Sequence, residues 1–185
     1  MAGVPSPKNP LRGSCLCGGV RFEVTAPFLW ANHCHCSRCR KHSGAFGGAQ
    51  GRIPRAGFRL LAGEELIRVF RPDGGRVKAF CSVCGSSLCG AEWPQGEEVA
   101  IRFGSLDREP GIRPQFHTFV ASRAPWDEIP DDGLPHYDGG HPGGHDHGDR
   151  LEPGERLGDG EHCREVIRST AGTSGASSRE PNTPD

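Results

Sequence analysis

Apolar and charged side chains alternate along Val20-Arg-Phe-Glu-Val24, which puts Val20, Phe22 and Val24 on one face of a strand entered through Gly18 and Gly19. Further stretches of strand type fall at 58–62, 66–70, 77–80, 99–103 and 116–120, separated by turn clusters such as Arg71-Pro-Asp-Gly-Gly-Arg76. One helical segment is predicted, over 37–43, with Gly44 placed to end it. Phe46-Gly-Gly-Ala-Gln-Gly51 lacks side-chain bulk and reads as a shallow groove for a peptide-like ligand. Many short strands with one short helix predict a mainly β fold, a small sheet domain of several short antiparallel strands.

The pattern stops at both ends. Residues 1–12 hold three prolines and no periodicity, and read as a flexible leader. From 139 to 185 the only large aliphatics are Leu151, Leu157, Val166 and Ile167, with no aromatic, too little for a core. The expected organisation is therefore a leader (1–12), a folded domain (13–138) and a disordered tail (139–185) rich in Gly, His and acidic residues. The tail's His141, His145 and His147 have a metal-like spacing but read as incidental polarity there. Trp30, Trp93 and Trp126 are assigned to packing, any one of them a candidate wall for a pocket.

Composition narrows the class. A hydrophobic fraction of 34% with 28 Gly and 16 Pro leaves a thin core and many turns, so cross-links are expected to supply stability. The formal net charge is −1, which argues against nucleic acid or an anionic membrane surface as the main partner. The first residues contain no apolar run of signal type, and nothing later approaches the ~20 apolar residues of a membrane span. The expected compartment is the cytoplasm. Thiols stay reduced there, and the nine cysteines read as metal ligands rather than disulfides.

Seven of those cysteines form three clusters: Cys15-Leu-Cys17, Cys34-His-Cys36-Ser-Arg-Cys39 and Cys81-Ser-Val-Cys84. A structural zinc wants a closed tetrahedron, so the two outer pairs combine into one four-cysteine site. Gly85, after Cys84, suits a knuckle turn at positive φ. The central Cys34, Cys36 and Cys39 then offer three ligands and an open position, the mark of a catalytic zinc. A fourth ligand from His33, His35, His42 or Cys89 would close that position. Cys89 otherwise reads as a small buried apolar side chain.

Three segments closely resemble the glutathione-dependent formaldehyde-activating enzyme family, to which centromere protein V is related. They are Gly13-Ser-Cys-Leu-Cys-Gly-Gly-Val-Arg-Phe-Glu-Val24, His33-Cys-His-Cys-Ser-Arg-Cys-Arg-Lys-His-Ser-Gly-Ala45 and Phe80-Cys-Ser-Val-Cys-Gly-Ser-Ser-Leu88. Phe116-His-Thr-Phe-Val120, Ala124-Pro-Trp-Asp127 and Leu134-Pro-His-Tyr-Asp138 are similar to its closing segment. The resemblance implies a mainly β fold with two zinc ions. Cys15, Cys17, Cys81 and Cys84 would hold the structural ion, and Cys34, Cys36 and Cys39 the catalytic one. It also implies a carbon–sulfur lyase reaction, condensation of formaldehyde with glutathione to S-hydroxymethylglutathione and its reverse.

The expected function is that of an enzyme forming or cleaving adducts between a small thiol and an aldehyde. Arg38, Arg40 and Lys41 are the expected anchors for substrate carboxylates or the adduct oxyanion, and His35 or His42 the expected proton relay. The rival is a zinc-stabilised binding module without catalysis. The two differ at the central cysteines: a module closes the second site and exposes a patch, an enzyme opens it into a pocket.

Overall fold

Val20, Phe22 and Val24 are all buried, as their alternation requires, and the last two lie on β2 (Arg21–Val24). This strand is the middle of a three-stranded antiparallel sheet, between β1 (Leu11–Ser14) and β5 (Phe58–Ala62). The computed structural model describes residues 3–141. Its larger sheet is assembled from β3 (Trp30–Cys34), β4 (Gly48–Pro54), β6 (Ile67–Phe70), β7 (Val77–Cys81), β8 (Ser87–Ala91), β9 (Glu98–Arg102), β10 (His117–Thr118) and β11 (His136–Tyr137). The spatial order is β11-β10-β3-β4-β9-β8-β7-β6. Pairing is antiparallel except at β10, which lies parallel to both β3 and β11. The one α-helix among the described residues is α1 (Ser37–Ser43), and Gly44 ends it in the left-handed region at φ 69°.

Leu11, Val20, Phe22 and Val24 from the small sheet meet Ile53, Leu88, Val99 and Ile101 from the large one in a single apolar cluster. Burying such side chains stabilises the fold by about 1.5–3 kcal/mol each. On the other face of the small sheet, Glu23 stands directly opposite Arg12 on β1 and Arg59 on β5, and bonds both guanidinium groups. Glu23 is buried while both arginines are exposed, so two solvated cations cover one desolvated carboxylate.

Several expectations change. The leader does not extend to residue 12: Leu11 is fully buried on β1, and Ser6 and Asn9 pair across a turn before it. The stretch 46–51 is no groove, since β4 runs through the middle of the large sheet between β3 and β9. Its glycines permit close approach; a Cβ on Gly51 would lie 2.5 Å from the Phe28 ring. The strand expected at 116–120 shortens to His117–Thr118 because Phe119 turns to φ 57°. Trp93 packs in the core as expected, whereas Trp126 is 71% exposed. Gly139 accepts a hydrogen bond from Phe119 N–H at 2.8 Å, so the expected tail begins against the domain. The rest of that tail, 142–185, lies outside the described residues. Among the described residues, no helix is long and apolar enough to cross a membrane.

Arg59 and then Arg12 hold the Glu23 carboxyl below its ordinary value. A lowered carboxylate contributes stability that is complete above its unfolded value and disappears as pH falls through its folded one. Glu23→Gln is therefore expected to lower Tm at neutral pH, with the gap to wild type closing in acid. Thermal melts of both proteins from pH 7 to about pH 2 check this, and a gap independent of pH contradicts it.

Candidate active site

Two groups of sulfur atoms are brought together by the fold. The first joins Cys15 and Cys17, in the connection from β1 to β2, to Cys81 at the end of β7 and Cys84 in the following turn. All four sulfurs lie within 4.8 Å of one another, with Cys15–Cys17 at 3.4 Å and Cys17–Cys81 at 3.9 Å. Tetrahedral zinc with Zn–S bonds of about 2.3 Å has S···S edges of about 3.8 Å, so this donor set fits zinc. The two arms share one design: Gly18 and Gly85 turn at φ 72° and 73°, and their N–H groups return to the carbonyls of Cys15 and Cys81 at 2.9 Å. Ser86 ties the arms, accepting the Leu16 N–H at 2.9 Å. Its hydroxyl and backbone bonds to Cys84 pull that thiol down to about 5.

The second group is Cys34 at the end of β3, Cys36 at the helix cap and Cys39 inside α1, all buried. The Cys39 N–H donates to Cys36 Sγ at 3.2 Å, so the helix start itself holds one sulfur. Lys78 Nζ donates to Cys39 Sγ at 3.5 Å, and an Arg102 Nη atom donates to the same sulfur at 3.8 Å. Hydrogen bonds from Cys34 and Cys36, then the Arg102 and Lys78 charges, hold the Cys39 thiol well below its ordinary value against the effect of burial. Three thiols facing two buried cations are the donor chemistry of a thiophilic divalent metal, so this set also fits zinc. Neither Cys89 nor any histidine joins it among the described residues. Cys89 instead packs in the apolar core, where burial pushes its thiol up to about 12.

The three cysteines line a cavity of about 180 Å³. Period-two alternation explains its walls. Val99 and Ile101 of β9 point into the core, and Glu98, Ala100 and Arg102 line the cavity. Likewise Ile53 of β4 serves the core while Gln50 and Arg52 line the cavity, joined by Trp30, Asn32 and Cys34 from β3 and Lys78 from β7. One face of the large sheet is thus the core and the other is the site.

The lining is strongly basic. Arg52, Arg76, Lys78 and Arg102 line it with one carboxylate, Glu98, which sits 3.8 Å from Arg52, while Arg76 is paired with Glu92 outside the lining. Burial and the neighbouring Arg76 lower Arg52 to about 10, the signature of cations crowded together. Asn32 donates to Thr118 Oγ1 at 2.7 Å, leaving its buried Oδ1 without a protein partner. Ala91 and Phe119, the two non-glycine residues at positive φ among those described, both line the cavity, and Phe119 packs on the three cysteines. Backbone strain of this kind concentrates at functional sites.

None of Arg38, Arg40, Lys41, His35 and His42 lines the cavity. Arg38 reaches away to the Asp73 carbonyl at 2.8 Å, Lys41 is exposed, and His42 lies edge-on to Phe80. Burial takes His42 down to about 4. His35 alternates away from its cysteine neighbours and meets His117, Nε2 to Nδ1 at 2.9 Å; His117 Nε2 then lies 3.2 Å from Asp132. Burial takes His35 down to about 4, and at the other end the Asp132 carboxylate accepts from His117 Nε2. The chain fastens the cysteine loop from behind. The cavity cations sequence reasoning missed are Arg52, Lys78 and Arg102, on three different strands, and Arg76 in the turn before β7.

The sequence model of the family described as glutathione-dependent formaldehyde-activating enzyme matches residues 10–122. A Halomonas elongata protein provisionally named for that activity is 32% identical over 127 residues, 64% of this chain and 80% of its own length. A Sordaria macrospora protein of the same name is 29% identical over 90 residues, 45% of this chain and 38% of its own. A crystal structure of a Rhodobacter sphaeroides protein aligns at 22% identity and a TM-score of 0.45, covering 69% of this chain and 99% of that one.

The two sulfur groups are expected to differ in consequence. Cys81→Ser is expected to leave the chain unfolded, since binding energy at a fold-joining metal is folding energy. Cys36→Ser is expected to keep the circular-dichroism spectrum of the parent and to bind one zinc fewer. Metal analysis of purified protein beside thermal melts reads both, and equal unfolding of the two variants contradicts the division.

Proposed function

The chain belongs to the glutathione-dependent formaldehyde-activating enzyme family, and on that premise we propose that its basic cavity joins a small thiol to an aldehyde, and cleaves the adduct, in a carbon–sulfur lyase reaction. Two zinc ions per chain are part of this reading, one held by Cys15, Cys17, Cys81 and Cys84 and the other by Cys34, Cys36 and Cys39. When bound at the second set, the ion supplies positive charge that keeps a thiol in its reactive, deprotonated form at neutral pH. The observation that carries the proposal is that three buried cysteines line a cavity with no fourth side chain closing the set among the described residues. A zinc-stabilised binding module has no use for that opening.

The remaining roles follow from the lining. Lys78 and Arg102 balance sulfur charge at the floor. Arg102 is steadied by Gln50, to which it donates. Farther along the wall, Arg52 and Arg76 attract the carboxylates of an anionic thiol such as glutathione. Asn32 Oδ1 offers an acceptor for a substrate N–H or for the hydroxyl of the adduct. Trp30 and Phe116, whose tilted rings lie 5.7 Å apart, exclude water from one side. Free cytosolic thiols fit this chemistry, and the cytoplasm is the proposed compartment.

The test is adduct formation. Zinc-loaded protein is expected to accelerate exchange between glutathione plus formaldehyde and S-hydroxymethylglutathione, followed by NMR. No acceleration with any thiol and aldehyde pair would refute the proposal. Arg52→Gln is expected to raise KM for glutathione roughly tenfold more than for cysteamine, which has no carboxylate, the equivalent of about 1.4 kcal/mol.

A further inference from the structure

We propose that His141 is the proton-transfer residue of the cavity, an inference that rests on the thiol–aldehyde reaction proposed above. His141 lies beyond residue 122, where the family match ends. It is nevertheless the one imidazole of the described residues in the lining of the cavity that the three cysteines also line. Its place is built. The ring stacks on Phe116 at 4.5 Å between centroids and meets Tyr137 edge-on at 5.2 Å. The backbone leading to it is tied down twice, by the parallel pairing of β10 with β11 and by the Phe119 N–H donated to the Gly139 carbonyl.

The reaction needs such a group. As the new S–C bond forms, the carbonyl π bond breaks toward oxygen, the thiol proton must leave sulfur, and the new alkoxide must gain one. Neutral His141 takes the first proton and, as imidazolium, returns it to the oxyanion; the reverse order cleaves the adduct. Atoms, charge and protons balance with no other reactant. The other ionisable lining groups are poorly suited. Arginine does not deprotonate, Lys78 is engaged at Cys39, and Glu98 is paired with Arg52. His35 and His42 stand off the cavity.

The test uses the full-length, zinc-loaded chain. His141→Gln is expected to lower kcat for glutathione and formaldehyde about 100-fold, within the usual range for loss of a general acid–base group, while KM for glutathione stays within about threefold. The variant should also lose one ionisation from the pH profile of kcat/KM. Tyr137, Glu98 and the four cavity cations are common to both proteins, so the difference between profiles isolates His141. Imidazole added to His141→Gly should restore part of the rate. Independently of turnover, the His141 ring signals of labelled protein should shift when S-methylglutathione, which cannot react, is added. Wild-type kcat and pH profile in His141→Gln, or ring signals indifferent to S-methylglutathione, would overturn the inference while leaving the reaction standing. A wild-type protein that accelerates no adduct would sink the reaction itself, and the proton role with it.

Discussion

Three sulfurs crowded within 4.8 Å in a buried site cannot share negative charge unless positive charge meets them. At about 4 Å and an effective dielectric of about 20, each thiolate pair repels by about 4 kcal/mol. That constraint accounts for the placement of Lys78 and Arg102, which are both buried and both directed at Cys39. It also accounts for the sheet. The two cations come from β7 and β9, on either side of β8, and their side chains rise from the face opposite the core. Gly90 on β8 pairs with Lys78 on one side and Ala100 on the other, and a Cβ there would lie 2.5 Å from the Val77 carbonyl oxygen and 3.7 Å from an Arg102 Nη atom. The domain is organised around holding one anionic centre against two cations in a place that water does not neutralise.

This placement explains what could be read from the chain and what could not. β2, β5 and β9 were legible because their apolar positions alternate in short, uninterrupted stretches. α1 was legible because Gly44 marks its end; the Cys36 cap at its start shows only in the structure. β4 was hidden because Gly48-Ala-Gln-Gly-Arg-Ile-Pro54 reads as a loop, although Gly51 is there to admit Phe28 and Phe103 from neighbouring segments. Leu11 was hidden because one buried leucine among prolines carries no period. Convergence within each cysteine cluster was legible because short spacing forces it, and the union of the two outer pairs because a structural zinc wants four ligands. The cavity cations were not. Arg38, Arg40 and Lys41 stand next to the sulfurs in sequence, but the helical path between them turns those side chains away from the site. Arg52, Lys78 and Arg102 come from three different strands, and sheet pairing, which is long-range, brings them together.

The closing segment ties these features to the protein's particular chemistry. His117 on β10 receives His35 from within the cysteine loop and passes the contact to Asp132, so the loop's position depends on residues far along the chain. The Leu134 N–H and then His117 keep the Asp132 carboxyl below its ordinary value, so this run of hydrogen bonds ends on a carboxylate. Phe119, one residue past β10, is turned to positive φ and lies on the cysteines. A phenylalanine is held in that conformation only where its surroundings over-determine it. Its N–H is fastened by Gly139 and its ring by the sulfur cluster.

It follows that the part of the chain outside the family match is no appendage to the site. Residues 132–141 supply the carboxylate behind the cysteine loop, the strand that pairs with β10, the anchor for Phe119 and the imidazole on the cavity wall. The sulfur motifs define what metal the fold can hold, a property set by short spacing. What reaches a ligand there is decided by the sheet face and by this closing stretch, where charge and shape are assembled from distant positions. Divergence of substrate among proteins that share the cysteine pattern is then expected to track these walls, with the metal ligands unchanged.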